Sequence, residues 1–212
     1  MFNDKKSEKF RKAAKETKFI QGMVEGTLNP VSYGGYMVQD AAYCFKAVEA
    51  YDYAAEQMQK QGETELSSLY RERSDKFKGY NEDCINNWRL KNGESVVLGP
   101  AAETYVGFET DVSRNDAKFL CIAMLPCAML WPWIAGELIG KVKPENPYYF
   151  WFEDNKRDPG HKSHLEQFVD RFCKPEDKEK SLAIFRQGLV HELNFFRDAC
   201  REPLNSDKFI YI

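Results

Sequence analysis

The chain has 212 residues, 43% hydrophobic and 30% charged, with 13 glycines and 9 prolines. That is an ordinary globular composition, long enough for one domain with a substantial core and too short for two large ones. A net charge of −3 argues against nucleic acid as the main partner, because phosphate binding needs a concentrated basic surface. The N-terminus carries no apolar leader, and no unbroken apolar run reaches the ~18 residues of a membrane span, so the expectation is a soluble, cytoplasmic protein without a membrane partner.

The first predicted element is an amphipathic helix with Phe10, Ala13, Ala14 and Thr17 on its inner face. Its lysines and arginine (Lys5, Lys6, Lys9, Arg11, Lys12, Lys15) are interleaved with Glu8 and Glu16, the pattern of a solvated face. Phe19-Ile20 follow, then a turn from Gly22 to Gly26. Asn29-Pro30 is a helix start, with asparagine as N-cap and proline at the first helical position. The helix it opens is expected to run to Gln61-Gly62, where glycine supplies the stop. Its inner stripe reads Tyr33, Tyr36, Asp40, Tyr43, Ala47, Tyr51 and Ala54, which is helical spacing.

A third helix is predicted over 63–90, turned inward at Leu66, Leu69 or Tyr70, Phe77, Tyr80 or Asn81, Cys84 and Trp88, and closed by Asn92-Gly93. Ser95 to Leu98 is too short and isolated to build a sheet. Pro100 opens a short helix through about Glu109. From Asn115 or Asp116 to Ile139 the chain reads as one apolar helix, kinked at Pro126 by the missing donor and the crowded carbonyl. A short aromatic segment over 148–153, the turn Asp158-Pro159-Gly160 and two helices over 161–172 and 175–200 complete an all-α chain. It is read as one domain, residues 1–212.

Three positions carry possible chemistry. Asp40 stands on an aromatic stripe, where a carboxylate must find donors or suffer desolvation; a buried tyrosine or Trp88 could supply one and leave it a mere register pin. Glu192 shares helical spacing with Phe185, Leu189 and Phe196, and a carboxyl among rings can serve as an acid or base. Cys127 follows the proline kink, but no cation adjoins it in sequence to favour a thiolate. The six cysteines contain no CxxC pair and read as free thiols in a reducing compartment.

The stretch Ile20-Gln21-Gly22-Met23-Val24-Glu25-Gly26-Thr27-Leu28, followed by Tyr36 to Tyr43 with Gln39-Asp40, resembles the TenA family signature. There a "GTL" turn leads into a helix bearing "QD…Y". Leu125-Pro126-Cys127 resembles that family's "LPC", and Glu192 to Phe196 its "E-x-x-F-W". The three motifs occur in the family's order and cover most of the chain. The resemblance implies a heme oxygenase-like helical bundle and kinship with thiaminase II, the aminopyrimidine aminohydrolases, which replace an amine or thiazolium on a pyrimidine methylene with water. It implies Cys127 as nucleophile and Glu192 as acid or base, with Asp40 on the amidine-like edge of a pyrimidine ligand. Tyr43 and Tyr105 would hold the ring or the thiol. It further implies no metal, no organic cofactor and a homo-oligomer, dimer or tetramer.

Two departures stand out. Trp131 occupies the place, one turn after the cysteine, where the family usually has tyrosine, and the tyrosine after the family's short "Y-x-x-W" segment has no counterpart. An indole donates but cannot exchange protons as a phenol can, so Trp131 is expected to bind ligand, and a TenA-like binding protein or an enzyme of altered specificity is the alternative. An oxygen-using relative is disfavoured. Its heme would need an early histidine, whereas His161, His164 and His191 all come late, and E-x-x-H spacing for two irons is missing. His161 and His164 beside Asp158 read as a loop leading into a helix.

Overall fold

The computed structural model describes residues 1–88, 95–158 and 160–210. In chain order the helices are α1 (Lys5–Lys15), α2 (Lys18–Glu25), α3 (Pro30–Lys60), α4 (Thr64–Trp88), α5 (Pro100–Asp116), α6 (Leu120–Ala123), α7 (Leu125–Leu138), α8 (Tyr149–Asn155), α9 (His164–Phe172) and α10 (Lys178–Ala199). No strand occurs among the described residues, as the sequence predicts. The chain divides into two compact units, one made of Met1–Gly34 and Met124–Ile212, the other of Gly35–Ala123. It passes from one to the other inside α3, at Gly34-Gly35, and again at Met124.

In the first unit α1 and α7 pack on α10, α2 joins α10, and α8 and α9 pack on α7. Asp4 caps α1 through the amides of Lys6 and Ser7, satisfying donors that a helix start leaves open. Phe10, Ala14 and Thr17 are buried as predicted, and Thr17 lies past the end of α1 and caps the next helix. Where a turn is predicted from Gly22, α2 continues to Glu25 and stops at Gly26, whose φ is +71°. Gly22 is needed within the helix because a Cβ there would lie 3.1 Å from Leu28 Cβ. Asn146 Nδ2 then closes the helix end on the carbonyls of Met23 and Val24, at 2.9 and 3.0 Å. Asn29 accepts from the Val31 amide at 2.9 Å and starts α3 at the predicted place. Ser163 and Glu166 form a reciprocal capping box before α9, so His164 sits at a helix start as read from the sequence. The C-terminal tail runs back along α10, where Asn194 bonds the Asn205 backbone and Gln187 accepts from the Phe209 amide.

In the second unit α3 is joined to α4 by Ser67 Oγ on the Ala55 carbonyl and by Ser74 Oγ on Asp52, at 2.9 and 2.6 Å. Tyr70 donates to the Ala117 carbonyl at 2.7 Å and accepts from the Cys121 amide at 3.1 Å, which pins the turn between α5 and α6. Gln39 bonds both Val97 O and the Gly99 amide, fastening the segment that leads to α5. Leu66, Tyr70 and Phe77 are buried as the periodicity predicts; Leu90 and the Asn92-Gly93 stop lie outside the described residues.

Two element bounds differ from the sequence reading. Helix α5 extends seven residues past the predicted end at Glu109, because Phe108, Val112 and Ser113 continue its buried face. The single kinked helix is instead a 3-10 turn (Ala117–Phe119), α6 and α7. Pro126 falls in the first turn of α7, where its missing N–H has no partner to lose, so the chain breaks before the proline. An 18-residue window within Pro100–Lys141 is apolar enough to cross a membrane, and 61% of it is buried inside the fold, as a core helix requires.

Candidate active site

The first unit carries three of the six predicted residues. Cys127 lies in the first turn of α7 and is partly buried. Trp131 follows one turn later on the same helix, and its Nε1 donates to Glu192 Oε2 on α10 at 2.7 Å. Glu192 is 3% exposed. Around it the indole leans on Trp151 and Phe196, with ring centroids 5.9 and 6.0 Å away, and Phe196 stacks on Phe19. An aromatic donor thus holds the carboxylate beside a wall of rings. His191, its neighbour in sequence, faces Gln187 at 3.2 Å; burial pushes its pKa down to about 4, so it is neutral at pH 7.

The second unit carries the other three. Asp40 on α3 accepts the hydroxyl proton of Tyr80, on α4, at 2.9 Å. Burial raises its pKa to about 6, opposed by the Tyr80 hydrogen bond and the Arg73 charge. The Tyr80 hydroxyl is itself pushed up, by burial and by the Asp40 charge. Tyr43 on α3 leans on Tyr105 on α5, with ring centroids 4.8 Å apart and planes at 35°. Trp131 thus meets Glu192, Tyr43 meets Tyr105, and Asp40 gains a half-buried tyrosine donor.

Of the two donors the sequence left open for Asp40, a tyrosine supplies the bond, though Tyr80 is half-buried; the side chain of Trp88, the other option, lies outside the described atoms. The sequence also gave Tyr51 no role beyond its stripe and none at all to Glu109, yet Tyr51 Oη donates to Glu109. The signal for Glu109 was present one turn after Tyr105, but a helix ending there hid it. Among the described residues no group of three or more His, Cys, Asp or Glu is placed to hold a metal ion. A groove of about 730 Å³ on the second unit is lined by Phe45, Val48, Tyr53, Lys78 and Arg114, among others. It includes none of the six predicted residues.

These features define an all-α protein of the heme oxygenase-like fold, with buried carboxylates set among aromatic rings. The profile of the TENA/THI-4/PQQC family matches residues 5–202, and the chain belongs to that family. Among solved structures it is similar to a TenA homologue from P. horikoshii OT3 at 19% identity and a TM-score of 0.71, covering 92% of this chain and 95% of that one. A TenA homologue from Pyrococcus furiosus is 14% identical with a TM-score of 0.67, over 94% and 100% of the two chains. A protein from Sulfolobus solfataricus that carries the name TenA-like thiaminase is 18% identical with a TM-score of 0.64, over 97% and 95%. At these identities the likeness establishes the fold. No curated protein matches.

Proposed function

We propose that the chain is a hydrolase of the thiaminase II type, acting on an aminopyrimidine or a thiamin-related compound. The observation that carries this reading is the 2.7 Å bond from Trp131 to Glu192, with Cys127 one turn before the same tryptophan. It supports a fixed carboxylate working alongside a cysteine at the positive end of a helix. In this reading Glu192 in its acid form delivers a proton to the pyrimidine ring and Cys127 adds to that ring as a thiolate. The thiol proton passes to the departing amine, or to solvent when a neutral thiazole leaves the methylene carbon. Water then adds at the methylene, the sulfur departs, and the ring proton returns to Glu192. The balance is one water consumed, one hydroxymethylpyrimidine and one amine or thiazole formed. The substrate-binding roles proposed for Asp40, Tyr43 and Tyr105 follow from the family resemblance, since a carboxylate suits an N–H edge and aromatic rings suit a flat heterocycle.

The test is turnover by the purified protein on an aminomethylpyrimidine panel and on thiamin, followed as the hydroxymethyl product. Cys127→Ser is expected to abolish it and Glu192→Gln to slow it by roughly 10²–10⁴-fold, the range of a lost general acid. No turnover on any member of the panel refutes the hydrolase. A second reading, a binding protein or an enzyme of altered specificity, is favoured by one observation: an indole, not a phenol, holds Glu192. Tight calorimetric binding of the same pyrimidines without turnover establishes that reading.

A further inference from the structure

The groove on the second unit shares no residue with the candidate active site, and its buried polar side chains are of one kind. Asn81 on α4 lines it and is 7% exposed, and the Asn81 Oδ1 has no hydrogen-bond partner among the described residues. Ser113 on α5 lines it as well, 2% exposed, and gives its single hydroxyl proton to the Thr110 carbonyl at 2.8 Å. A carbonyl only accepts, so the Ser113 oxygen has lone pairs alone left to offer. A buried acceptor without a donor is destabilising, and here two acceptors line one hollow.

The walls add charge and rings. Two of the cations lining the groove are already engaged by its own carboxylates: Lys78 by Asp52 at 3.1 Å and Arg114 by Glu49 at 3.9 Å. That leaves Glu56 and Glu82 against the single ammonium of Lys46, so the balance is acidic. Phe45, Val48 and Tyr53 supply an apolar and aromatic surface. The volume, about 730 Å³, suits a small molecule and is far more than one water needs.

We propose that this groove is a second ligand site, for a small organic cation whose ammonium N–H groups meet Asn81 and Ser113 and whose apolar body lies against Phe45, Val48 and Tyr53. An ammonium carries three donors and no acceptor, the complement of a floor that only accepts. The terminal torsion of an asparagine is broad, so the Asn81 oxygen turns to the ligand without moving α4. A carboxylate ligand would set lone pairs against lone pairs and meet Glu56 and Glu82 as like charges. The site goes beyond the proposed hydrolysis and stands or falls independently of it, because none of its residues enters that chemistry.

The experiment is calorimetric titration of the purified chain at pH 7 with 2-phenylethylamine, which is protonated there, and with 2-phenylethanol and 3-phenylpropionate. The amine is expected to bind at least about tenfold more tightly than the alcohol, and the carboxylate to show no heat of binding. Asn81→Leu should weaken the amine at least about fivefold while keeping or raising the thermal midpoint of the free chain, since it removes an unpaired buried acceptor. Glu56→Gln combined with Glu82→Gln alters two exposed side chains. It is expected to weaken the amine about threefold, leave the alcohol unchanged, and carry the comparison should Asn81→Leu fail to fold. Equal affinity for the three probes, no binding of the amine, or amine binding within twofold of wild type in a folded Asn81→Leu overturns the proposal. Binding lost in Glu192→Gln but kept in Asn81→Leu would put the probe in the candidate active site and overturns it too. So does a Tyr53→Ala variant that turns an oligomer into a monomer in sedimentation, which would make the groove a contact between copies of the chain.

Discussion

At the scale of single residues, the contact most open to test is the indole bond to Glu192. Trp131→Phe keeps an aromatic ring beside Trp151 and Phe196 but deletes the indole N–H that now bonds a carboxylate only 3% exposed. The expected cost is ~1–3 kcal/mol of stability, read from denaturant midpoints. A double-mutant cycle with Glu192→Gln should return a coupling of at least about 0.5 kcal/mol; additive losses would show that the bond is energetically idle. Asp40 offers a second test with a definite direction. Its value of about 6 in the folded chain, against an ordinary 3.8, means that between those pH values the folded chain holds a proton the unfolded chain has lost. The stability tied to this group is therefore complete below about pH 4, drains away as pH rises toward 6, and is constant above, with a ceiling of roughly 3 kcal/mol. Asp40→Asn still accepts the Tyr80 proton and needs no ionisation. It is expected to match wild type near pH 4 and to exceed it in stability above pH 6, while losing affinity for an N–H edge. A gap that did not change with pH would refute the buried-carboxylate account.

At the scale of elements, α2 and its closing residues show how much a glycine stop depends on its surroundings. Gly26 and Gly62 both have positive φ, +71° and +79°, but a Cβ on Gly26 would lie 3.2 Å from Asn146 Nδ2 while nothing lies within 4 Å at Gly62. Gly62→Ala is expected to cost the backbone term alone, about 1 kcal/mol. Gly26→Ala should cost more, because it also disturbs the amide that caps the carbonyls of Met23 and Val24. Thermal unfolding of the pair isolates that difference, and equal losses would remove the role given to Asn146. The same element scale explains where the sequence misled. Periodicity marked the long helix from Pro30 correctly, since its cap, stripe and stop are all local. It could not show that Gly22 stays helical, because the reason is the approach of Leu28. Nor could it show that α5 passes Glu109, because the continuing face at Val112 is satisfied by tertiary burial.

At the scale of the molecule, the helical class was legible because the apolar residues repeat at helical spacing and strand signals were few. The family resemblance rested on short motifs around Gly22, Asp40, Cys127 and Glu192, which local chemistry preserves. What stayed hidden was the polar pairing of Tyr80 with Asp40 and of Tyr51 with Glu109, since hydrogen-bond partners forty or more residues apart leave no periodic trace. The apolar run through α6 and α7 is the feature most open to misreading, because its composition suits a lipid bilayer as well as a core. The fold resolves this by burial: Leu130, Ile134 and Ala135 are all 0% exposed, packed in a unit where α10 and α8 lie against α7. A lipid-facing leucine could be shortened with little effect on folding, because it meets acyl chains and not a fixed cavity wall. A core leucine cannot, since its removal forfeits both transfer free energy and packing. Leu130→Ala is therefore expected to cost about 2–5 kcal/mol, measured by urea unfolding of protein purified without detergent. A loss under about 1 kcal/mol, or a wild-type chain that needs detergent to stay dispersed, would place this segment outside a protein core.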